Sequence, residues 1–455
     1  MTTEEMDGLA HRIQILGKNA SINSILLSNN LAQNSDDDVD HTLPTSLLDI
    51  QSQPDIFNNH LSPKEQDSVW NVSAGYDARA LSSESPDEKR QTLNALMKLS
   101  LSIKGGKLDY KNQKTPYTSK IPFVSVTHGS LSDGGYALAM GSYAFATPDS
   151  RFQISNPCRG LSFDPIGLSY ILPRLGWEYR QSTAHYPLGS ILAMTGYVAD
   201  GLDMVECGLA THFIQEVEDL ALLERSLAEL PPYHQQGLKK KPIQKYGHVS
   251  NESSSGSRLQ DVNAQYRNVA VANIIHSVSD FDAAGQDYAT AREGKLFLKD
   301  EDPSLVLEGG SDRGDYLEEK ESRLFTIAAT FEDVFRKEES VEGIMEILKE
   351  VAHSSIEDND AEVISIAKEL LDGMEAQSPL ALLANQKLMT MGKGNKQSLE
   401  TCMEREKNVL LKLFEKEDYK NWANSGLEAG EFKDWSHKSV KEVTSDEVKE
   451  LFASN

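Results

Sequence analysis

Three things are scarce in this chain of 455 residues: cysteine, uninterrupted apolar sequence and positive charge. Its cysteines, Cys158, Cys207 and Cys402, are odd in number and far apart, which leaves no disulfide framework and no CxxC metal site and points to a reducing compartment. No apolar run approaches the roughly 18 residues that a membrane span needs. With 45 Lys and Arg against 70 Asp and Glu the formal net charge is -25, the wrong sign for a general nucleic-acid or anionic-membrane surface. An anionic ligand would need a local basic patch. The opening Met1-Thr2-Thr3-Glu4-Glu5 also lacks the Arg-rich, acid-poor character of a transit peptide, so no import signal is expected.

What remains is an ordinary globular composition, 39% hydrophobic, on a chain long enough for a full core and a second, smaller unit. Its most informative stretch runs from Phe123 to Leu175. There FVSV reads as a strand leading to His128-Gly129, and Ser132-Asp133-Gly134-Gly135 opens a short apolar helical segment, Tyr136 to Met140. Amides at the start of a helix lack partners and can hold an oxyanion. A Gly-Gly pair alone marks only a tight turn, but this one has neighbours. Val72-Ser73-Ala74-Gly75-Tyr76-Asp77-Ala78-Arg79 is a second small-residue turn upstream. Downstream come Gly160-Leu161-Ser162-Phe163-Asp164 and then Tyr170-Ile171-Leu172-Pro173-Arg174-Leu175.

That set, in that order, resembles the crotonase superfamily, and within it the 3-hydroxyisobutyryl-CoA hydrolases. Thr195-Gly196, the run Gly208 to Ile214, Phe331, Val341 to Met345 and Ser378-Pro379-Leu380 extend the likeness, so that it covers about residues 70–220 and 325–415. The resemblance implies an α/β fold with a ββα superhelical core and C-terminal helices packed over the active-site face. The chain is expected to divide into a crotonase-like core over 1–220, a polar insertion or linker over 221–325 and a C-terminal helical region over 326–455. The first region, to about residue 66, departs most from the family plan.

Hydrophobic spacing adds local detail. Ser21 to Ser28 reads as a short strand, while Pro44, Pro54 and Pro63 break any helical stripe that follows. Leu93, Leu96, Met97 and Leu99 give one apolar face to a helix over Pro86 to Ile103, and Leu220 to Leu230 is also helical in pattern. Ser340 caps a helix carrying Val341, Ile344, Ile347, Leu348 and Val351. A second stripe, Val363 to Leu371, is expected to stop at Gly373, and Ser378-Pro379 starts another helix. A last helix spans Met403 to Phe414. His128 and His212, beside apolar strands, read as structural.

The resemblance also implies chemistry. The ligand is an acyl-CoA, coenzyme A being part of the substrate, with no separate cofactor. A thioester oxyanion would sit on the backbone amides of Tyr76 and Gly134, with Gly75 and Asp77 in the substrate-binding turn, although Tyr76 stands where the family has Gly or Ala. Asp164 matches the hydrolase aspartate and lies beside an apolar run that would tune it; an Asp-Pro turn with Pro165 accounts for the same residue structurally. Eight residues earlier the hydrolases carry a glutamate and this chain has Asn156, which cannot act as base or nucleophile but can position a carbonyl or a water. Ala137 withholds the second glutamate of the hydratases. Asp109-Tyr110 falls where the hydrolases have a substrate-contacting Glu-Tyr, and reads equally as a loop acid. Lys239-Lys240-Lys241 is a solvated run or a clamp for CoA phosphates. The family's C-terminal Arg and Lys-Asp are not recognisable between Asn421 and Trp435.

Two functions of different class stand. One is a CoA-thioester hydrolase of valine breakdown, mitochondrial by resemblance. The other is a crotonase-fold protein without turnover, self-associated or built into a larger assembly such as a mitochondrial ribosome. Neither needs direct contact with nucleic acid or membrane.

Overall fold

Short runs of apolar and β-branched residues, separated by glycine turns, build two small sheets at the centre of the chain. The structure, a computed structural model, describes residues 1–16, 25–27, 71–73, 75–104, 122–176, 187–230, 270–282, 322–337, 340–355, 360–394 and 396–453. The first sheet has the order β1 (Ile25–Leu27), β3 (Phe123–Thr127), β5 (Tyr143–Ala146), β8 (His212–Phe213), β9 (Phe281–Asp282). β1, β3, β5 and β8 are parallel and β9 is antiparallel to β8. The second sheet has the order β2 (Asn71–Ser73), β4 (Ser130–Ser132), β6 (Arg151–Gln153), β7 (Ala199–Asp200). Here β2, β4 and β6 are parallel, and β7 closes the sheet antiparallel.

The strand expected in Ser21 to Ser28 is β1, and the FVSV strand is β3, with Ile25 opposite Phe123. Val124, Val126 and Phe145 pack with Ile214 and with Leu220, Leu223 and Leu227 of the helix Val217–Ala228. Val271, Ile275 and Val278, from a helix over 270–278, complete that cluster. Each such side chain, taken fully out of water, contributes about 1.5–3 kcal/mol before entropy is counted. Residues 221–230 and 270–278 thus join the core against this sheet.

The helix Pro86–Lys104 buries Leu93, Leu96, Leu99 and Ile103. Its start is a reciprocal cap: Glu88 N–H donates to Ser85 Oγ at 3.3 Å and Ser85 N–H to Glu88 Oε2 at 2.8 Å. Against it lies a helix beyond those expected from sequence, Thr3–Leu16, with Met6, Ala10 and Ile13 buried. Lys98 Nζ donates to Asp7 Oδ1 at 2.6 Å across the pair.

The C-terminal helices include Val341–Ala352, Ala361–Glu375, Pro379–Gly392, Leu399–Leu413 and Glu417–Ser425. Ser340 Oγ accepts the Gly343 amide at 3.0 Å, the expected cap. Gly373, however, does not end its helix, which continues to Glu375. The glycine serves close packing instead, since a Cβ there would lie 2.0 Å from the Thr195 carbonyl oxygen. Among the described residues no helix is long and apolar enough to cross a membrane.

Candidate active site

β2, β4 and β6 are parallel neighbours, so the chain leaves all three at the same edge of the sheet. The turns that follow, at Gly75-Tyr76, Asp133-Gly134 and Ser155-Asn156, are therefore stacked side by side. Ligands gather at such carboxyl edges because turn amides face outward there. The first two turns touch through their backbones: Gly75 has φ +85°, and a Cβ on it would come within 3.0 Å of Gly134 Cα and Gly135 N. Only glycine permits that approach without strain. The expected helical segment is a 3-10 helix, Asp133–Ala139, buried throughout.

The loop after Asn156 carries Asp164 into this junction. Gly134 N–H donates to Asp164 Oδ2 at 2.6 Å and the Tyr76 hydroxyl donates to Oδ1 at 2.5 Å. Sequence reading expected the Gly134 amide to face a substrate oxygen; in this state it faces the carboxylate of the other candidate residue. Tyr76 contributes more than an amide, since its buried ring delivers a hydroxyl to Asp164. Asp164 itself is 1% exposed. Burial, reinforced by the charge of Asp133, pushes its carboxyl up to about 7, against the opposing pull of the Tyr76 hydroxyl, the Gly134 amide and Arg159. The turn reading of Asp164-Pro165 also holds, for Ile166 N–H donates to the Asp164 carbonyl at 2.7 Å.

Asn156 is buried and occupied. Its Nδ2 donates to the Ser162 carbonyl at 3.1 Å, and its Oδ1 accepts from Arg159 Nη1 at 3.1 Å. Asp77 is exposed and lies just before the 3-10 helix Ala80–Ser83, its Oδ1 accepting the amides of Arg79 at 2.9 Å and Ala80 at 3.1 Å. Asp109 and Lys239-Lys240-Lys241 lie outside the described residues.

The C-terminal helices cover the loop from Asn156 to Ile171. Ser378 N–H donates to the Pro157 carbonyl at 3.0 Å, and Asn385 Oδ1 accepts the Phe163 amide at 3.1 Å. Glu406, fully buried, accepts the amides of Gly167 at 2.7 Å and Ser169 at 2.6 Å. Burial raises its carboxyl to about 8, opposed by those bonds.

The sequence match agrees with this geometry. A family model described as enoyl-CoA hydratase/isomerase matches residues 69–307 and 299–452. The chain belongs to the enoyl-CoA hydratase/isomerase family. Its fold is accordingly the crotonase fold, and a crystal structure of a carnitinyl-CoA dehydratase from Mycobacterium thermoresistibile has the same architecture. That match has a TM-score of 0.60 at 15% identity and covers 100% of this chain and 90% of the other. Within the family the chain is similar to the mitochondrial 3-hydroxyisobutyryl-CoA hydrolase of Homo sapiens, 36% identical over 110 residues. It is also similar to the probable 3-hydroxyisobutyryl-CoA hydrolase 2 of Arabidopsis thaliana, 29% identical over 164 residues. These matches span 24% and 35% of this chain, and 26% and 40% of the relatives' lengths.

Three residues at this candidate site are not picked out by the motifs: Asp133, Arg159 and Glu406. The first two sit beside named motif residues but carry no spacing signature. Glu406 did leave a signal, because a charge stands on the same helical stripe as Met403, Val409 and Leu410.

Proposed function

We propose that this member of the family is an acyl-CoA thioester hydrolase, of the kind named by its 3-hydroxyisobutyryl-CoA hydrolase relatives, with Asp164 as the base. The observation that carries the reading is the buried Asp164 carboxyl at the junction of the Gly75-Tyr76 and Asp133-Gly134 turns, with a proton affinity raised to about 7. A general base works best when its pKa lies near the operating pH. On binding, the thioester carbonyl takes over the Gly134 amide while the Tyr76 hydroxyl keeps hold of Asp164. Water then attacks the carbonyl carbon and gives a proton to Asp164. The tetrahedral oxyanion rests on the Gly134 N–H, worth several kcal/mol in a dry site. Collapse breaks the C–S bond, and the same proton passes from Asp164 to the departing thiolate.

Turnover is expected to be slow, because Asn156 stands where the hydrolases have a carboxylate. That residue also favours a second reading, an acyl-CoA-binding protein without turnover: its carboxamide is held by Arg159 and Ser162, and Asp164 closes the Gly134 amide. Thiol release from a panel of acyl-CoAs, measured beside calorimetric binding, separates the two. Release that disappears in Asp164→Asn while binding persists supports the hydrolase. Binding without release in the parent protein supports the second reading, and no binding of CoA or any acyl-CoA at about millimolar concentration, weaker than about -4 kcal/mol, defeats both.

A further inference from the structure

Asp133 has a backbone conformation that its residue type disfavours. Its φ is +44°, the only positive φ outside glycine among the described residues. An L-residue in that region costs about 1–2 kcal/mol, so something must hold it there. The side chain identifies what. Asp133 is 2% exposed, and its Oδ1 accepts the amides of Ser155 at 2.9 Å and Asn156 at 3.0 Å. Its Oδ2 accepts the Ser155 hydroxyl at 2.5 Å and Arg159 Nη1 at 3.4 Å. One carboxylate therefore ties the turn after β6 to the turn after β4, next to the residue whose amide meets Asp164.

We infer that Asp133 is a positioning residue of this site: by locking two neighbouring turns together it fixes the direction of the Gly134 N–H and keeps a negative charge beside Asp164. The inference rests on the proposed hydrolase reading for its kinetic meaning, though not for its geometry. Among the described residues, the Asp164 carboxyl is bonded by the Tyr76 hydroxyl and the Gly134 amide and feels the charges of Asp133, Arg159 and, from the C-terminal helix, Glu406. Of these, Asp133 opposes ionisation of Asp164 by like charge and Arg159 favours it. Arg159 is bound to Asp133 and to Asn156, so the arginine stays close when Asp133 is neutralised.

Two variants separate charge from conformation. Asp133→Asn keeps an acceptor and tolerates positive φ, but removes the charge. Asp133→Gly frees the backbone and removes the tie. The protonation state of Asp164 can be read without turnover, from the carboxylic C=O infrared band that is absent in Asp164→Asn. Both Asp133 variants should move the loss of that band to lower pH, by on the order of one unit. If the hydrolase reading holds, the midpoint of the kcat/KM profile follows. Its plateau should fall about 100-fold in Asp133→Gly, as misplaced groups do, and less in Asp133→Asn. An unmoved band in both variants overturns the inference. A moved band with no thiol release in the parent leaves the inference standing and removes the hydrolase reading alone.

Discussion

Under the proposed hydrolase reading, Asp164 sets activity and stability against each other. Its folded carboxyl holds a proton up to about pH 7, whereas the ordinary value is 3.8. A group raised on folding contributes stability that is complete below its unfolded value and is lost as pH rises through the folded one. Glu406, raised from 4.5 to about 8, acts in the same sense. Resistance to denaturant should therefore fall between about pH 4 and pH 8. Chemical denaturation at pH 5 and at pH 8 measures this, and the drop should shrink in Asp164→Asn. Turnover runs the other way, since a base must be ionised: kcat/KM should climb with pH and level off above about 7. A flat profile from pH 5 to 9 would remove Asp164 from the chemistry, the pH range being chosen to span roughly two units either side of that value.

The same scale holds the test of Asn156. Glutamate there brings back a carboxylate, with Arg159 already 3.1 Å from the Asn156 oxygen to accept it. It also removes the donor to the Ser162 carbonyl, at a cost of about 1–3 kcal/mol. Asn156→Glu should raise thiol release about 100-fold or more and lower the melting temperature. An unchanged rate in a folded variant would mean that the missing glutamate does not limit this protein. Motif spacing singles out Tyr76, Gly134, Asn156 and Asp164, because each occupies a fixed offset from a glycine turn. It could not show that the Tyr76 hydroxyl and the Gly134 amide converge on Asp164, 88 and 30 residues away. That convergence is made by sheet pairing, which no local window contains.

At the scale of elements, helix boundaries were legible where a cap marked them and were misread where a glycine had another use. Ser340 and Ser378 start helices as their residue type suggests, Ser378 Oγ accepting the Ala381 amide at 3.3 Å. Gly373 looked like a stop because sequence shows the glycine but not Thr195, which lies against it. In the helix Thr3–Leu16, Met6, Ala10 and Ile13 follow a helical spacing, but the stripe is short and stands among charged and polar residues. Gly373→Ala should destabilise the protein despite a better helix propensity. The propensity gain is at most about 1 kcal/mol, while forcing a methyl against a carbonyl costs typically 1–3 kcal/mol. A melting temperature at or above that of the parent would contradict the packing account.

At the scale of the whole molecule, the formal charge of -25 sets a long-range field that repels an anionic ligand. The phosphates of CoA should feel that repulsion before any local contact forms. Added salt screens it, the Debye length shrinking from about 30 Å at 0.01 M to about 8 Å at 0.15 M. Association of acyl-CoA, followed by stopped flow, should therefore speed up over this range. A rate that falls with salt would instead reveal a basic patch strong enough to steer the ligand in.

The grip of Glu406 on Gly167 and Ser169 joins residues 239 and 237 positions apart. During synthesis the three strand-end turns and Asp164 leave the ribosome long before that glutamate exists. At roughly 5–20 residues per second, the interval is on the order of 10–50 seconds. Throughout it, the amides of Gly167 and Ser169 lack that side chain, and the loop bearing Asp164 is held from behind only by Ser378 and Asn385, once they in turn have emerged. The last two hydrogen bonds on that loop thus form only when the helix Leu399–Leu413 arrives.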